Sequence, residues 1–170
     1  MDHFARLGVP AALDLEPASL DKAYFARQRQ WHPDRFVARP ADERARASAE
    51  AAALNDAYRT LKDPLARAMY LAGLKGVELP GDGRTIDDPE LLMEAMEARE
   101  ELQESTTVEA VDRLAAGARK DVEEALSRLG SLFLANDKAA IRKALLRLRY
   151  LDKFAEEARA RRVNLERETR

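Results

Sequence analysis

Cysteine is absent from this chain of 170 residues, and histidine occurs only twice. Without thiols there can be no disulfide, no thiolate zinc site and no cysteine nucleophile. Two histidines and scattered carboxylates also fall short of a metal-ligand set. Glycine and proline number seven each, too few for the many turns of an all-β fold. No apolar run approaches the roughly 20 residues that a membrane-spanning helix requires. Met1, Asp2 and His3 lead into no apolar signal segment, and the acid at position 2 is out of keeping with a mitochondrial transit peptide. The expectation is a protein that stays in the reducing compartment where it is made. A marked excess of one charge is lacking too. The 29 Lys and Arg oppose 31 Asp and Glu, for a net −2 and a pI near 5.8, which excludes the broad positive surface that nucleic-acid binding demands.

What the chain does have is helix-forming composition. Hydrophobic residues make up 46% and charged residues 35%, with Ala, Leu, Glu and Arg dominant, so the fold class read from composition is all-α. Three acid-then-proline pairs mark helix starts: Glu16-Pro17, Asp63-Pro64 and Asp88-Pro89. In each, a carboxylate meets orphan N–H groups and the proline gives up an N–H that the helix does not need. From Pro17, residues Leu20, Tyr24, Arg27 and Trp31 recur at helical spacing until Pro33 stops the run. A second long helix is read from Ala41 to Lys62, with Ala47, Ala51, Leu54, Tyr58 and Leu61 on one stripe. Short helices are read at Asp2 to Leu7 and Pro64 to Leu74. Gly76, Pro80 and two further glycines mark 76–88 as a linker. Beyond it three helices are expected, at about 89–104, 107–135 and 137–160, with Thr106 and Asp137 as N-caps and a frayed, charge-rich terminus from Arg159 to Arg170. The division is therefore residues 1–75, a linker at 76–88, and a three-helix bundle at 89–170.

The break at Pro33 places His32, Pro33 and Asp34 in a tight loop between two antiparallel helices. Such a tripeptide alone could be an ordinary turn. Here Tyr24, Arg27 and Trp31 lead into it, and Leu54-Asn55-Asp56-Ala57-Tyr58-Arg59-Thr60-Leu61-Lys62-Asp63-Pro64 follows, then Arg67 and Tyr70. This combination resembles the J-domain family. The resemblance implies that His32, Pro33 and Asp34 engage an Hsp70 chaperone and promote its ATP hydrolysis. From Asp21 to Arg39 five basic residues face two acidic ones, +3 on a chain of net −2. Lys22, Arg27 and Arg29 are thus the candidates for electrostatic docking on an acidic Hsp70 surface, against the alternative that each is simply solvated helix surface. A hydrolytic dyad of His32 and Asp34 would lack any motif-marked nucleophile, and the chain reads as a non-enzyme.

The helix from Pro89 carries the second pattern. At 100° per residue, Leu91, Ala95, Ala98 and Leu102 fall within about 60° and form a core stripe. Leu92 and Met96 fall about 100–140° from Leu91, and Met93, Glu97, Glu100 and Glu104 about 180–240° from it. From Asp87 to Glu104 eight acids accompany one base, Arg99. Leu92, Met93 and Met96 are either a wider buried stripe or a partner surface of adaptable methionines ringed by carboxylates. In the last helix Ile141, Leu145, Leu148, Leu151 and Ala155 form the core stripe, leaving Tyr150 and Phe154 off its centre.

Met1-Asp2-x-Phe4, the His-Pro-Asp region, Leu91-Leu92-Met93-Glu94, Arg99-Glu100-Glu101-Leu102 and Arg147-Leu148-Arg149-Tyr150-Leu151-Asp152-Lys153 together resemble the HscB family over essentially the whole chain. That family comprises the J-type co-chaperones of iron–sulfur cluster assembly. The resemblance implies a J domain joined to a C-terminal three-helix bundle that binds the scaffold protein IscU and delivers it to the specialised Hsp70, HscA. It assigns scaffold binding to Leu92, Met93, Met96, Glu97, Glu100, Glu104 and Tyr150, with Phe154 as the rival aromatic. Met96 and Tyr150 stand where the family usually has other apolar and aromatic residues. No cofactor is implied: ATP belongs to the Hsp70 and the cluster to the scaffold. The cysteine-containing extension that precedes the J domain in eukaryotic relatives is missing, which favours a bacterial cytoplasmic protein. A J protein with a different client, or a helical interaction protein without Hsp70 activity, are the alternatives.

Overall fold

The computed structural model describes residues 1–81 and 87–168, and within them the structure is helical with no strand. The chain divides into two compact units, Met1–Leu74 and Lys75–Arg170.

The first unit comprises α1 (His3–Leu7), α2 (Pro17–Trp31), a 3-10 turn (Pro33–Phe36), α3 (Ala41–Lys62) and α4 (Pro64–Leu74). Local chemistry accounts for the ends. Asp2 accepts a hydrogen bond from the Ala5 N–H, and the Glu16 carboxylate accepts from the N–H groups of Ala18 and Ser19, so each satisfies donors that the helix leaves open. Gly8 closes α1 at φ 74°, in the left-handed region that glycine enters without a Cβ penalty. Successive cross-contacts run in opposite chain directions: Asp21 meets Tyr58, Tyr24 meets Asn55, and Arg46 lies over the Trp31 ring. α2 and α3 are therefore antiparallel. Their interface, with α1 and α4, buries Phe4, Leu7, Leu20, Ala47, Leu54, Ala57, Leu61, Ala68 and Leu71. His3 stacks on Tyr70 with ring centroids 4.2 Å apart, a packing role that needs no metal.

The second unit comprises α5 (Pro89–Glu104), α6 (Val108–Ala135) and α7 (Lys138–Glu168). Asp88 caps α5, and Asn136 closes α6 in the left-handed conformation. Thr107, not Thr106, caps α6, its hydroxyl accepting from the Ala110 N–H. α6 and α7 pair along their length, and α5 lies against α7. α7 also runs further than its charge-rich end predicts, to Glu168. Tertiary contacts hold these turns in place. Leu165 is buried in the shared core, Arg161 donates to the Ser105 carbonyl at 2.9 Å, and Arg162 pairs with Asp112 at 3.0 Å. Of the segment read as a linker, 82–86 lie outside the described residues. The described flanks are held to α7: Arg142 donates to the Glu78 carbonyl and pairs with Asp87, and Arg149 donates to the Pro80 carbonyl.

Candidate functional site

Two separate surfaces gather the residues singled out by sequence. The first is the turn after α2. Pro33 ends the helix, and His32, Pro33, Asp34 and Arg35 are all exposed. The turn is nevertheless built from both sides. The Arg35 guanidinium donates to the Arg29 carbonyl at 3.0 Å, satisfying an orphan acceptor at the end of α2. Trp31 and Phe36 stack across the turn, with centroids 6.0 Å apart and an interplanar angle of 4°. His32 Nδ1 accepts the Asp34 N–H at 3.3 Å and lies 3.5 Å from the Asp34 carboxylate. The Asp34 carboxylate is 85% exposed. An imidazole and an exposed carboxylate are thus presented side by side on a braced turn, without a nucleophile between them.

The basic candidates separate on the structure. Lys22 and Arg29 are seven residues apart, within about 20° of each other around α2, and both are exposed. Arg27 lies on another side. A Cβ placed on Gly8 would come within 3.2 Å of its guanidinium, so this side chain lies over the corner that follows α1. The three cations do not share one face, because five residues of α2 turn a side chain through about 140°.

The second surface is the outer side of α5. Leu91, Ala95 and Leu102 are buried, Leu92 is half-buried, and Met93 and Met96 are 64% and 61% exposed. Glu97, Glu100 and Glu104 are exposed beside them. The inner side is fixed to α7 by ion pairs that sequence reasoning did not identify. Lys143 pairs with Glu90 and Asp88, Arg147 with Glu94 at 2.8 Å, and Arg99 with Glu157. Arg147 also reaches Asp121 of α6 at 3.5 Å. Lys143 and Arg147 line one groove together with Glu90, Met93, Glu94 and Glu97. Acids of α5 and bases of α7 alternating at helical spacing are the signal that would have found them.

Tyr150 departs from its expected position. It is 7% exposed and Phe154 3%, and both belong to the core of the second unit with Ala95, Leu102, Val111 and Leu151. Neither is an off-core aromatic. The reason is that α7 packs against α5 on one side and α6 on the other. Its buried residues, from Leu146 through Tyr150, Phe154, Leu151 and Leu148 to Leu145, therefore cover roughly 260° of the helix. Burial raises the Tyr150 phenol above its ordinary pKa. Glu94 and Asp121 add to the shift, while Arg147 and Arg99 oppose it.

Among the described residues no helix is long and apolar enough to cross a membrane, and no cluster of His, Asp and Glu could hold a metal ion.

Comparison with known proteins covers both units of the chain. Residues 2–70 match the DnaJ domain family, and residues 87–159 match the family described as the HSCB C-terminal oligomerisation domain. The chain is 38% identical over 167 residues to the co-chaperone protein HscB homolog of Burkholderia multivorans, covering 96% of this chain and 95% of that protein. It is 42% identical over 156 residues to the homolog of Cupriavidus taiwanensis, covering 90% and 89%. Among solved structures, chaperone HscB from Vibrio cholerae superposes with a TM-score of 0.83 at 32% identity, over 97% of this chain and 99% of that one. Human co-chaperone protein HscB gives a TM-score of 0.88 at 27% identity, over 96% and 83%. A DnaJ domain implies an Hsp70 partner, and the chain belongs to the HscB family, the non-enzymatic J-domain co-chaperones of iron–sulfur cluster assembly.

Proposed function

We propose that this chain delivers an IscU-like iron–sulfur scaffold to an HscA-like Hsp70 and triggers hydrolysis of the ATP that the Hsp70 holds. Residues 1–75 act on the Hsp70 through His32, Pro33 and Asp34. Lys22 and Arg29 provide the basic approach, and Arg27 supports the corner at Gly8. Residues 89–170 carry the scaffold on Leu92, Met93, Met96, Glu97, Glu100 and Glu104, with Tyr150 acting from beneath by fixing α5. Its setting is the cytoplasm of a bacterium, a reading supported by the bacterial origin of the relatives named above.

The observation that carries this reading is the exposure of Met93 and Met96 beside three exposed glutamates, in a chain that also presents a His-Pro-Asp turn. Paired exposed methionines surrounded by charge are a partner surface more readily than a solvent face. The glutamates would select a basic scaffold surface, and the methionines adapt to its apolar contour. A J protein serving a different client would keep the turn and would not need this face.

The test has two arms. Steady-state ATPase of an HscA-like Hsp70 rises with the wild-type protein and stays at its basal rate with Asp34→Asn. Calorimetric titration with an IscU-like scaffold loses at least roughly tenfold in affinity, about 1.4 kcal/mol, when Leu92, Met93 and Met96 are all replaced by alanine. Unchanged affinity in a folded triple variant would sink the assigned face.

A further inference from the structure

Phe25 is 52% exposed on α2, and an isolated exposed phenylalanine needs no explanation. Its position does. Lys22, Phe25, Ala26 and Arg29 stand at i, i+3, i+4 and i+7, within an arc of about 100°, and all four are exposed. The next step along this stripe, three residues beyond Arg29, is His32. The opposite side of α2 is occupied: Leu20 is buried, Tyr24 donates to Asn55, and Trp31 stacks on Phe36. The Phe25 ring meets the Tyr24 ring at 5.2 Å, which gives it a support on one side and leaves the rest open.

We infer that Phe25 is an apolar anchor of the Hsp70 docking surface, seated between Lys22 and Arg29 in one stripe that ends at the His-Pro-Asp turn. The inference rests on the reading of that turn as the Hsp70 contact. The partner surface it fits is acidic, to complement Lys22 and Arg29, with an apolar hollow for one aromatic ring. The chemistry divides the work. Cations at the border steer encounter and make it salt-dependent. A half-exposed aromatic side chain lying between those cations along the helix axis slows dissociation by losing its remaining hydration, with little dependence on salt. The occupant follows from continuity: the stripe runs without interruption into the turn through which a J domain acts on Hsp70.

The test is Hsp70 ATPase stimulation as a function of co-chaperone concentration and ionic strength, with the full-length chain. Phe25→Ala is expected to raise the half-maximal concentration at least roughly fivefold. Maximal stimulation and the salt slope stay at wild-type values, as losing an uncharged contact requires. Phe25→Leu, which keeps an apolar side chain, is expected to restore most of the loss. Lys22→Ala and Arg29→Ala lower the salt slope instead. Trp31 is the only tryptophan, and its fluorescence melt verifies that the first unit is folded. If Phe25→Ala proved unstable, Phe25→Gln would take its place. A half-maximal concentration within twofold of wild type, with wild type active, overturns the anchor and leaves the reading of the turn standing. No stimulation by wild type overturns both.

Discussion

Arg99 of α5 closes on Glu157 of α7 with two parallel hydrogen bonds, Nε to one carboxylate oxygen at 2.9 Å and Nη2 to the other at 2.8 Å. This fork is the geometry in which an arginine–carboxylate pair is strongest. It matters here because α5 buries few large side chains, chiefly Leu91 and Leu102, while its other side carries the face proposed for the scaffold. Both partners are partly exposed, so solvent screens the pair. A double-mutant cycle of Arg99→Ala and Glu157→Ala should give a coupling of about 0.5–1 kcal/mol in denaturant unfolding. Hydrogen exchange should quicken along the second half of α5 in either single variant and remain unchanged in α6. A coupling indistinguishable from zero would mean that burial alone holds the helix.

The same contrast between α5 and α7 explains what was legible beforehand. α5 packs chiefly on α7, and counting 100° per residue from Leu91 put Met93 and Met96 off the core stripe while leaving open whether a wider stripe buried them; their exposure decides it. The starts of α2, α4 and α5 were legible for a local reason, because a carboxylate followed by proline is a complete cap signal within three residues. Tyr150 was not legible. Its burial depends on a second neighbour that no periodicity within α7 records. The last turns of α7 failed in the same way, since Arg161 finds its partner 56 residues away on the Ser105 carbonyl and Leu165 joins a core shared with α5 and α6. The separation of Arg27 from Lys22 and Arg29 was computable from spacing, but only contact with Gly8 gives it a reason.

Gly8 supplies the next expectation. Its φ of 74° and the 3.2 Å approach of Arg27 to the site of a Cβ leave a side chain both strained and crowded. Gly8→Ala should destabilise the first unit by about 1–2 kcal/mol. At about 4–8 °C per kcal/mol for a unit of this size, the shift is readily seen in the melt of Trp31 fluorescence. Gly8→Asn, which enters the left-handed region more easily, should lose less than alanine does. Equal losses would assign the cost to crowding by Arg27 and not to φ.

Glu16 gives the first unit an acid-sensitive start to α2. The Ser19 hydroxyl, the Ser19 N–H and the Ala18 N–H all donate to its carboxylate and hold its pKa below the ordinary glutamate value. A depressed carboxyl contributes stability above its ordinary pKa, and that contribution disappears as pH falls through the folded-state value. Wild type should therefore melt above Glu16→Gln at neutral pH, and the gap should narrow as the solution is acidified below the ordinary carboxylate range. A gap that stayed constant to low pH would show that the cap acts without its charge.

Tyr150 provides the test that separates a core residue from a contact residue. Its phenol is raised above the ordinary tyrosine pKa by burial first, then by Glu94 and Asp121. With the folded value above the unfolded one, the neutral phenol supports the fold. That support is complete below the unfolded pKa of about 10 and is lost as pH rises through the folded value. The difference in phenolate absorbance between wild type and Tyr150→Phe should accordingly titrate later than free tyrosine. Alkaline destabilisation of the second unit should also be weaker in the variant. For binding, Tyr150→Phe keeps the ring and should hold scaffold affinity within about twofold. Tyr150→Ala empties a buried site, by analogy with aromatic-to-alanine changes that cost about 3–5 kcal/mol. It should weaken scaffold binding by loosening the seat of α5, in step with the loss of stability. The opposite pattern, a folded Tyr150→Phe with tenfold weaker scaffold binding, would make the hydroxyl a direct contact and return Tyr150 to the surface of the interaction.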